Sequence, residues 1–374
     1  MVRRMDFSLD DEQGLIVQTV RRFVDKDVRA WAADADRAGA APPRLTAVAS
    51  DLGFFLDAVP ESAGGMLDGP YSHLRRVLRG VELGRGCAGM AALLETNVEP
   101  ALAVGRWRSA AAQAALFASL SAGGLATTAR DSRGTLDVQD EPGAGGLRIT
   151  GRLGPLPALG VASHVLLIAR SGETPIVALV PVTAGRRDAI TPSGWRAAAW
   201  GTLQLEAALV PADHVLARGA AAAAAGDEIL TWYKVSLAAR AAGVAQAGME
   251  HARAYAEERV QFGQPIGRFE SLIRLRDDAD TGAAAVRLMA QHAGWLADRV
   301  KDGPSRAAAH DAASRARVLA GDVVDRATVD AVQILGGYGF VNDYPVEKLM
   351  RDARAFVQLL GDERFDRILS LKGA

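Results

Sequence analysis

One cysteine, Cys87, stands in 374 residues. That excludes internal disulfides and any cysteine-built metal cluster. Such usage fits a reducing compartment, and the expected location is the cytoplasm. Long apolar runs are absent too: none approaches the roughly 18 residues a membrane span needs. The opening MVRRMDFSLDDEQ has two arginines but no apolar stretch behind them, so it does not read as a secretory leader. Neither charge is in excess, with 43 Lys and Arg against 44 Asp and Glu. A nucleic-acid or membrane-surface binder usually carries a basic surplus, so neither partner is expected. The six histidines, His73, His164, His214, His251, His292 and His310, show no ligand spacing, and no metal is expected. No GxSxG elbow and no Ser/His/Asp or Cys/His set is visible.

What is there is an alanine-rich chain long enough for two or three packed units. Its text has three textures. From Ser8, a candidate cap, acids fill a first turn, and Ile16, Val20, Phe23 or Val24, Val28 and Trp31 recur at helical spacing. Helical text continues through residues 44–55, 71–83 and 109–120. Short β-branched runs bounded by Gly and Pro follow: GLRITG (146–151), HVLLIAR (164–170), PIVALVP (175–181) and TLQLEAALVP (202–211). They predict a small antiparallel unit. GAAAAAAG (219–226) reads equally as a helical lead-in or a low-complexity linker. Long amphipathic stretches at 227–259, 269–300, 305–335 and 345–360 then predict a helical bundle. The expected fold is α+β, with an N-terminal α-helical domain (1–120), a β domain (121–217) and a C-terminal four-helix bundle (218–374). Strands and helices do not alternate, which excludes Rossmann and barrel folds.

EPGAGG (141–146) has the look of a glycine loop, but it lacks the last glycine of GxGxxG and opens a strand, so a hairpin turn is the better reading. Two bundle segments are more specific. In ERVQFGQPIGRFESL (258–272) a helix ends on Arg259 and turns at Gly263–Pro265. In DAVQILGGYGFVNDYPVEKLMRDAR (330–354) a helix ends at Gly336 and Gly337, and Pro345 can start the next.

Together these segments resemble the acyl-CoA dehydrogenases: RxxFGxxI, QxxGGxGF and YPVEKLMRDAR stand in that family's order and spacing, and GTLQLEAALVPADHVLA (201–217) resembles its strand into a V-P element. The resemblance covers essentially the whole chain. It implies FAD at a subunit interface, its ring held mainly by one subunit's β domain and its pyrophosphate and adenosine reached by the neighbour's bundle. It assigns the neighbour's contacts to Arg259, Phe262, Gln333, Gly336 and Gly337, and a ring-side contact to Thr128. A guanidinium complements phosphate charge, and glycines let backbone N–H groups approach it. It also implies a thioester of CoA or of an acyl-carrier protein as substrate, and electron-transfer flavoprotein or oxygen as acceptor. A homo-oligomer, or a hetero-oligomer with a homologous subunit, is the expected state. Apolar Val332, Ile334, Leu335, Leu349 and Met350, on more than one stripe, point to assembly through the bundle.

The resemblance breaks near the flavin ring. Where the family writes TEPGAGSD this chain has TARDSRGTLDV from Thr128, and Pro155 and Pro157 fall where the family places a Trp and a Thr. The family's catalytic glutamate is replaced by Leu360, and the position used by a minority branch is Tyr233. Asp362 and Arg364 replace residues near the cofactor, and Asp362 and Glu363 are the remaining candidate acids for a base. Three readings stay open: an ordinary fatty acyl-CoA dehydrogenase, which should have kept one base; a divergent flavoenzyme acting on an acyl thioester or specialised metabolite; and a non-catalytic subunit lending FAD contacts to a catalytic partner.

Overall fold

The computed structural model describes residues 6–107, 110–143 and 145–359. The chain opens with helices α1 (Asp11–Phe23), α2 (Arg29–Ala38), α3 (Arg44–Asp51), α4 (His73–Gly86), α5 (Ala88–Leu94), α6 (Val98–Arg106) and α7 (Ala110–Ser121). Asp10, not Ser8, caps α1. Its carboxylate accepts the Gln13 N–H at 2.8 Å, and the Gln13 side chain closes the capping box. Helix α5 is buried on every side and leaves no polar face to reveal its period, and α6, nine residues with a proline at its third position, is too short to announce itself.

Strands β1 (Leu125–Arg130), β2 (Asp137–Asp140), β3 (Leu147–Leu156), β4 (Ala162–Ser171), β5 (Thr174–Pro181), β6 (Arg186–Ala189), β7 (Gly201–Val210) and β8 (Val215–Arg218) follow. They form two four-stranded sheets, ordered β1-β4-β5-β8 and β2-β3-β7-β6. Neighbours are antiparallel except β1 and β4, which run parallel. EPGAGG joins β2 to β3, with Asp140 opposite Leu147, and is a hairpin turn. HVLLIAR and PIVALVP are continuous apolar runs because their sheet is covered on both faces. Val165, Leu167 and Val180 meet the other sheet, while Leu166, Val177 and Leu179 meet Leu116, Ile229 and Trp232 on helices.

The bundle consists of α8 (Gly219–Glu258), α9 (Glu270–Ala297), α10 (Gly303–Leu335) and α11 (Val346–Gln358), with a ribbon of β9 (Val260–Gln261) and β10 (Gln264–Pro265) after α8. GAAAAAAG is the start of α8, where Ala222 and Ala225 bury against the cluster under the first sheet. At 40 residues α8 is roughly 60 Å long. Ile334, Leu335 and Leu349, among the apolar residues expected to support assembly through the bundle, belong to the chain's own core.

The crossing of α4 with α8 does most to shape the interior. A Cβ on Gly84 would lie 2.2 Å from the Arg240 carbonyl, and one on Gly243 would lie 2.0 Å from the Val81 carbonyl. The two backbones touch, which only glycine permits. Side chains of α4 and α8 that flank this crossing are thereby aimed into one small space.

Candidate functional site

The residues singled out from sequence fall into two groups. Arg259 is the last residue capping α8: its N–H donates to the Tyr255 carbonyl at 2.9 Å. Gly336 ends α10 at φ 58° and ψ −130°, a region nearly closed to residues with a Cβ. These two and Gly337 line one cleft of 910 Å³, backed by Tyr255, Tyr338 and Tyr344, whose rings lie 5.8–5.9 Å apart. Beyond their own chain neighbours, nothing stands within 4 Å of where a Cβ would sit at Gly336 or Gly337, so a side chain at either would take up space in the cleft. A cation beside exposed backbone is a fitting seat for a diphosphate.

Phe262 and Gln333 lie outside the lining of that cleft but are exposed at the same end of the bundle. Phe262 and Gly263 turn the β9–β10 ribbon, both at positive φ (51° and 80°). That is the two-residue hairpin geometry that favours Asn or Gly, so a phenylalanine there bears strain of about 1–2 kcal/mol. Its ring is 93 % exposed.

The second group faces inward. Thr128 on β1, Tyr233 on α8 and Pro157 line a pocket of 20 Å³, room for about one water. The remaining walls are Arg76 from α4, Glu95 and Glu99 from the α5–α6 junction, Arg240 from α8, and Ala92, Thr96 and Thr127. Arg76 donates to Glu99 at 2.6 Å and to Glu95 at 3.3 Å, Arg79 donates to Glu95 at 2.9 Å, and the Ser236 hydroxyl also donates to Glu95. Burial alone pushes the Glu95 carboxyl up, but Arg76, Arg79 and Arg240 outweigh it and hold it at about 2. Burial raises the Tyr233 phenol to about 12. The sequence reading did not single out this ion cluster. Its signal was ETNVE (residues 95–99), two acids inside a run otherwise too apolar for a surface.

Thr128 Oγ1 is buried without a hydrogen-bond partner, an opening for a ligand atom. Pro155 and Pro157 offer a ring neither an aromatic face nor a hydroxyl, so the fit to a flavin is good at the diphosphate end and poorer at the ring end. TARDSRGTLDV closes on itself: Asp131 accepts from Thr135 N, Thr135 Oγ1 and Leu136 N at 2.9–3.0 Å. Leu360, Asp362, Glu363 and Arg364 lie outside the described residues. Leu359 just before them is buried, and its carbonyl accepts from Arg317 at 2.9 Å.

YPVEKLMRDAR proves to be a clasp. Asp352 accepts the Trp195 N–H at 2.6 Å and the Lys348 ammonium at 2.5 Å, while Arg351 reaches Asp36, Glu347 and the Ser193 carbonyl. It ties α11 to α2 and to the loop before β7, and Trp195 in turn lies under Arg240 at 5.3 Å.

Two family models match this chain: the N-terminal domain of acyl-CoA dehydrogenase over residues 10–123 and its C-terminal domain over residues 218–370. Benzylmalonyl-CoA dehydrogenase of Aromatoleum aromaticum is 29 % identical over 369 residues, 94 % of each chain. Among solved structures, butyryl-CoA dehydrogenase from Megasphaera elsdenii superposes with a TM-score of 0.86 at 22 % identity over 99 % of each chain. A complex of PigA with FAD and proline gives 0.85 at 19 % identity, again over 99 % of each. The fold, the two matched domains and the bundle segments converge: the chain belongs to the acyl-CoA dehydrogenase family, whose members depend on FAD.

Proposed function

We propose that this chain is a divergent FAD-dependent oxidoreductase acting on an acyl thioester, carried by CoA or by a carrier protein, and that it works as an oligomer. One observation carries the reading: the cofactor-type residues are divided. Arg259, Gly336 and Gly337 form an exposed anion cradle, whereas Thr128 and Tyr233 face an internal pocket that shares no lining residue with it. A second copy, or a homologous chain, would bring one chain's cradle to another chain's pocket. Exposed Phe262 and Phe340, at 93 % and 87 %, are the apolar surface such a partner would cover. The Aromatoleum relative, a benzylmalonyl-CoA dehydrogenase, supports a CoA thioester.

When bound, FAD supplies a hydride acceptor; proton removal is left to the protein. Tyr233 keeps its proton at neutral pH, and Glu95 is held as a carboxylate by arginines. Glu99 is bonded to Arg76. The described pocket therefore contains no free base, which argues against ordinary fatty acyl-CoA chemistry and leaves Asp362 and Glu363 as acids to test. The closure of the pocket to one water favours a second reading, a non-catalytic subunit that lends Arg259, Phe262 and Gln333 to a homologous partner's FAD.

The visible spectrum of the purified chain separates the two. A yellow protein with about one FAD per subunit supports the enzyme. A colourless protein that gains FAD only when co-expressed with a catalytic homologue supports the lending subunit. Absence of flavin in both preparations would overturn both.

A further inference from the structure

Which donors in the internal pocket are engaged, and which are free, bears on what that pocket selects. Arg76 gives all three of its nitrogens to Glu95, Glu99 and the Glu95 carbonyl. Thr96 donates to the Ala126 carbonyl and Thr127 to the Pro157 carbonyl. Arg240 differs. Its Nε donates to the Ser236 carbonyl at 3.4 Å and its plane lies over Trp195, but neither terminal nitrogen makes a hydrogen bond among the described residues. Thr128 Oγ1, on the same walls, is likewise without a partner there.

We propose that Arg240 is a specificity-determining residue that receives a neutral oxygen, a hydroxyl or keto group, on a short acyl chain. The proposal rests on the thioester reading above. Three features select this class. A guanidinium offers donors only, so the Arg240 terminal nitrogens at the pocket wall select an acceptor, and an uncharged oxygen of the size of one water fits the space beside them. A hydrocarbon tail is disfavoured, since the 20 Å³ pocket is walled by the Arg76–Glu95–Glu99 cluster and a longer chain would have to displace paired charges. A carboxylate is disfavoured as well: Arg76, Arg79 and Arg240 are already balanced by Glu95, Glu99 and Asp57, and a fourth acid would be unmatched.

The test is calorimetric binding of four CoA thioesters to the FAD-loaded protein, with its partner subunit if the flavin requires one. The probes are butyryl-, 3-hydroxybutyryl-, succinyl- and octanoyl-CoA. The hydroxylated ligand should bind about tenfold more tightly than butyryl-CoA, as expected for one hydrogen bond to a charged donor. Succinyl-CoA should be weaker than the hydroxylated ligand, and octanoyl-CoA should show no measurable binding. Arg240→Met should equalise hydroxybutyryl and butyryl affinities, while Arg240→Lys keeps their order. Octanoyl-CoA binding as well as the short ligands, or a hydroxyl preference that survives Arg240→Met, would overturn the assignment. If Arg240→Met does not fold, the wild-type order of the four ligands decides it. Equal binding of all four would sink this inference alone, whereas no binding of any would sink the thioester reading with it.

Discussion

A phenol that burial raises to about 12 holds its proton at neutral pH, so Tyr233 is a poor base where it stands. Wild-type protein should therefore show negligible dye reduction with butyryl- or octanoyl-CoA, and Tyr233→Phe should change little. Tyr233→Glu would place a carboxylate beside the free end of Arg240, and a positioned base is worth about 10²–10⁴ in rate. A measurable gain in that variant would confirm the position; brisk wild-type turnover would refute the reading and turn attention to Asp362 or Glu363. His73 gives a separate test. Burial lowers its pKa to about 3, and its ring stacks on Trp232 at 5.4 Å. The unfolded state binds a proton near pH 6.5 that the folded state refuses, so stability is lost as pH falls from about 6.5 toward 3. Urea unfolding at pH 7 and pH 5 should show this loss, and His73→Phe should reduce it. Glu95 adds a later loss, from about 4.5 toward 2, because its folded carboxyl is depressed. At this scale the sequence was legible where chemistry is local. Arg259, Gly336 and Gly337 sit at helix ends that turn residues announce, and they share a cleft. Arg76, Glu95 and Arg240 come together only through tertiary packing, from positions up to 164 residues apart by number, and no local period encodes that.

Length decided much of what was legible among the elements. The bundle helices, several turns long, emerged near their true limits, whereas the short α5 and α6 and the four-residue strands β2, β6 and β8 did not. Glycine in α4 and α8 was the signal left unread, since a helix interior normally avoids it. Gly84→Ala would set a methyl 2.2 Å from the Arg240 carbonyl, with backbone and not a flexible side chain as the obstacle. The helices must separate, and a loss of about 1–3 kcal/mol or more is expected. Because the crossing aims Arg76, Tyr233 and Arg240 into one pocket, thioester affinity should fall as well. Gly14→Ala in α1 is the control: nothing stands within 4 Å of the new methyl, and removing a helix glycine should stabilise by roughly 0.5–1 kcal/mol. Equal effects of the two substitutions in urea denaturation would show that the crossing is looser than its backbone contacts imply.

For the whole molecule, exposed aromatic rings and the cleft proposed to seat the diphosphate share one end of the bundle. Phe262 is held in a strained turn, pointing outward, close to the Arg259 at which α8 ends; Phe340 and Tyr338 follow Gly336 and Gly337 directly in the chain. An exposed ring on a strained backbone persists when something outside the chain rewards it. If a second subunit covers these rings, Phe262→Asp with Phe340→Asp should convert the assembly to monomers in light scattering at micromolar concentration. FAD should be lost with it, because neither chain would then complete the other's site. Arg259→Ala should separate the two effects. It removes the phosphate counter-charge without touching the apolar surface, so FAD binding weakens while the oligomer persists. Loss of flavin in the double variant with the oligomer intact would place the phenylalanines on the cofactor and not on the interface. Unchanged FAD affinity in Arg259→Ala would remove that arginine from the site, and the 910 Å³ cleft would need another ligand.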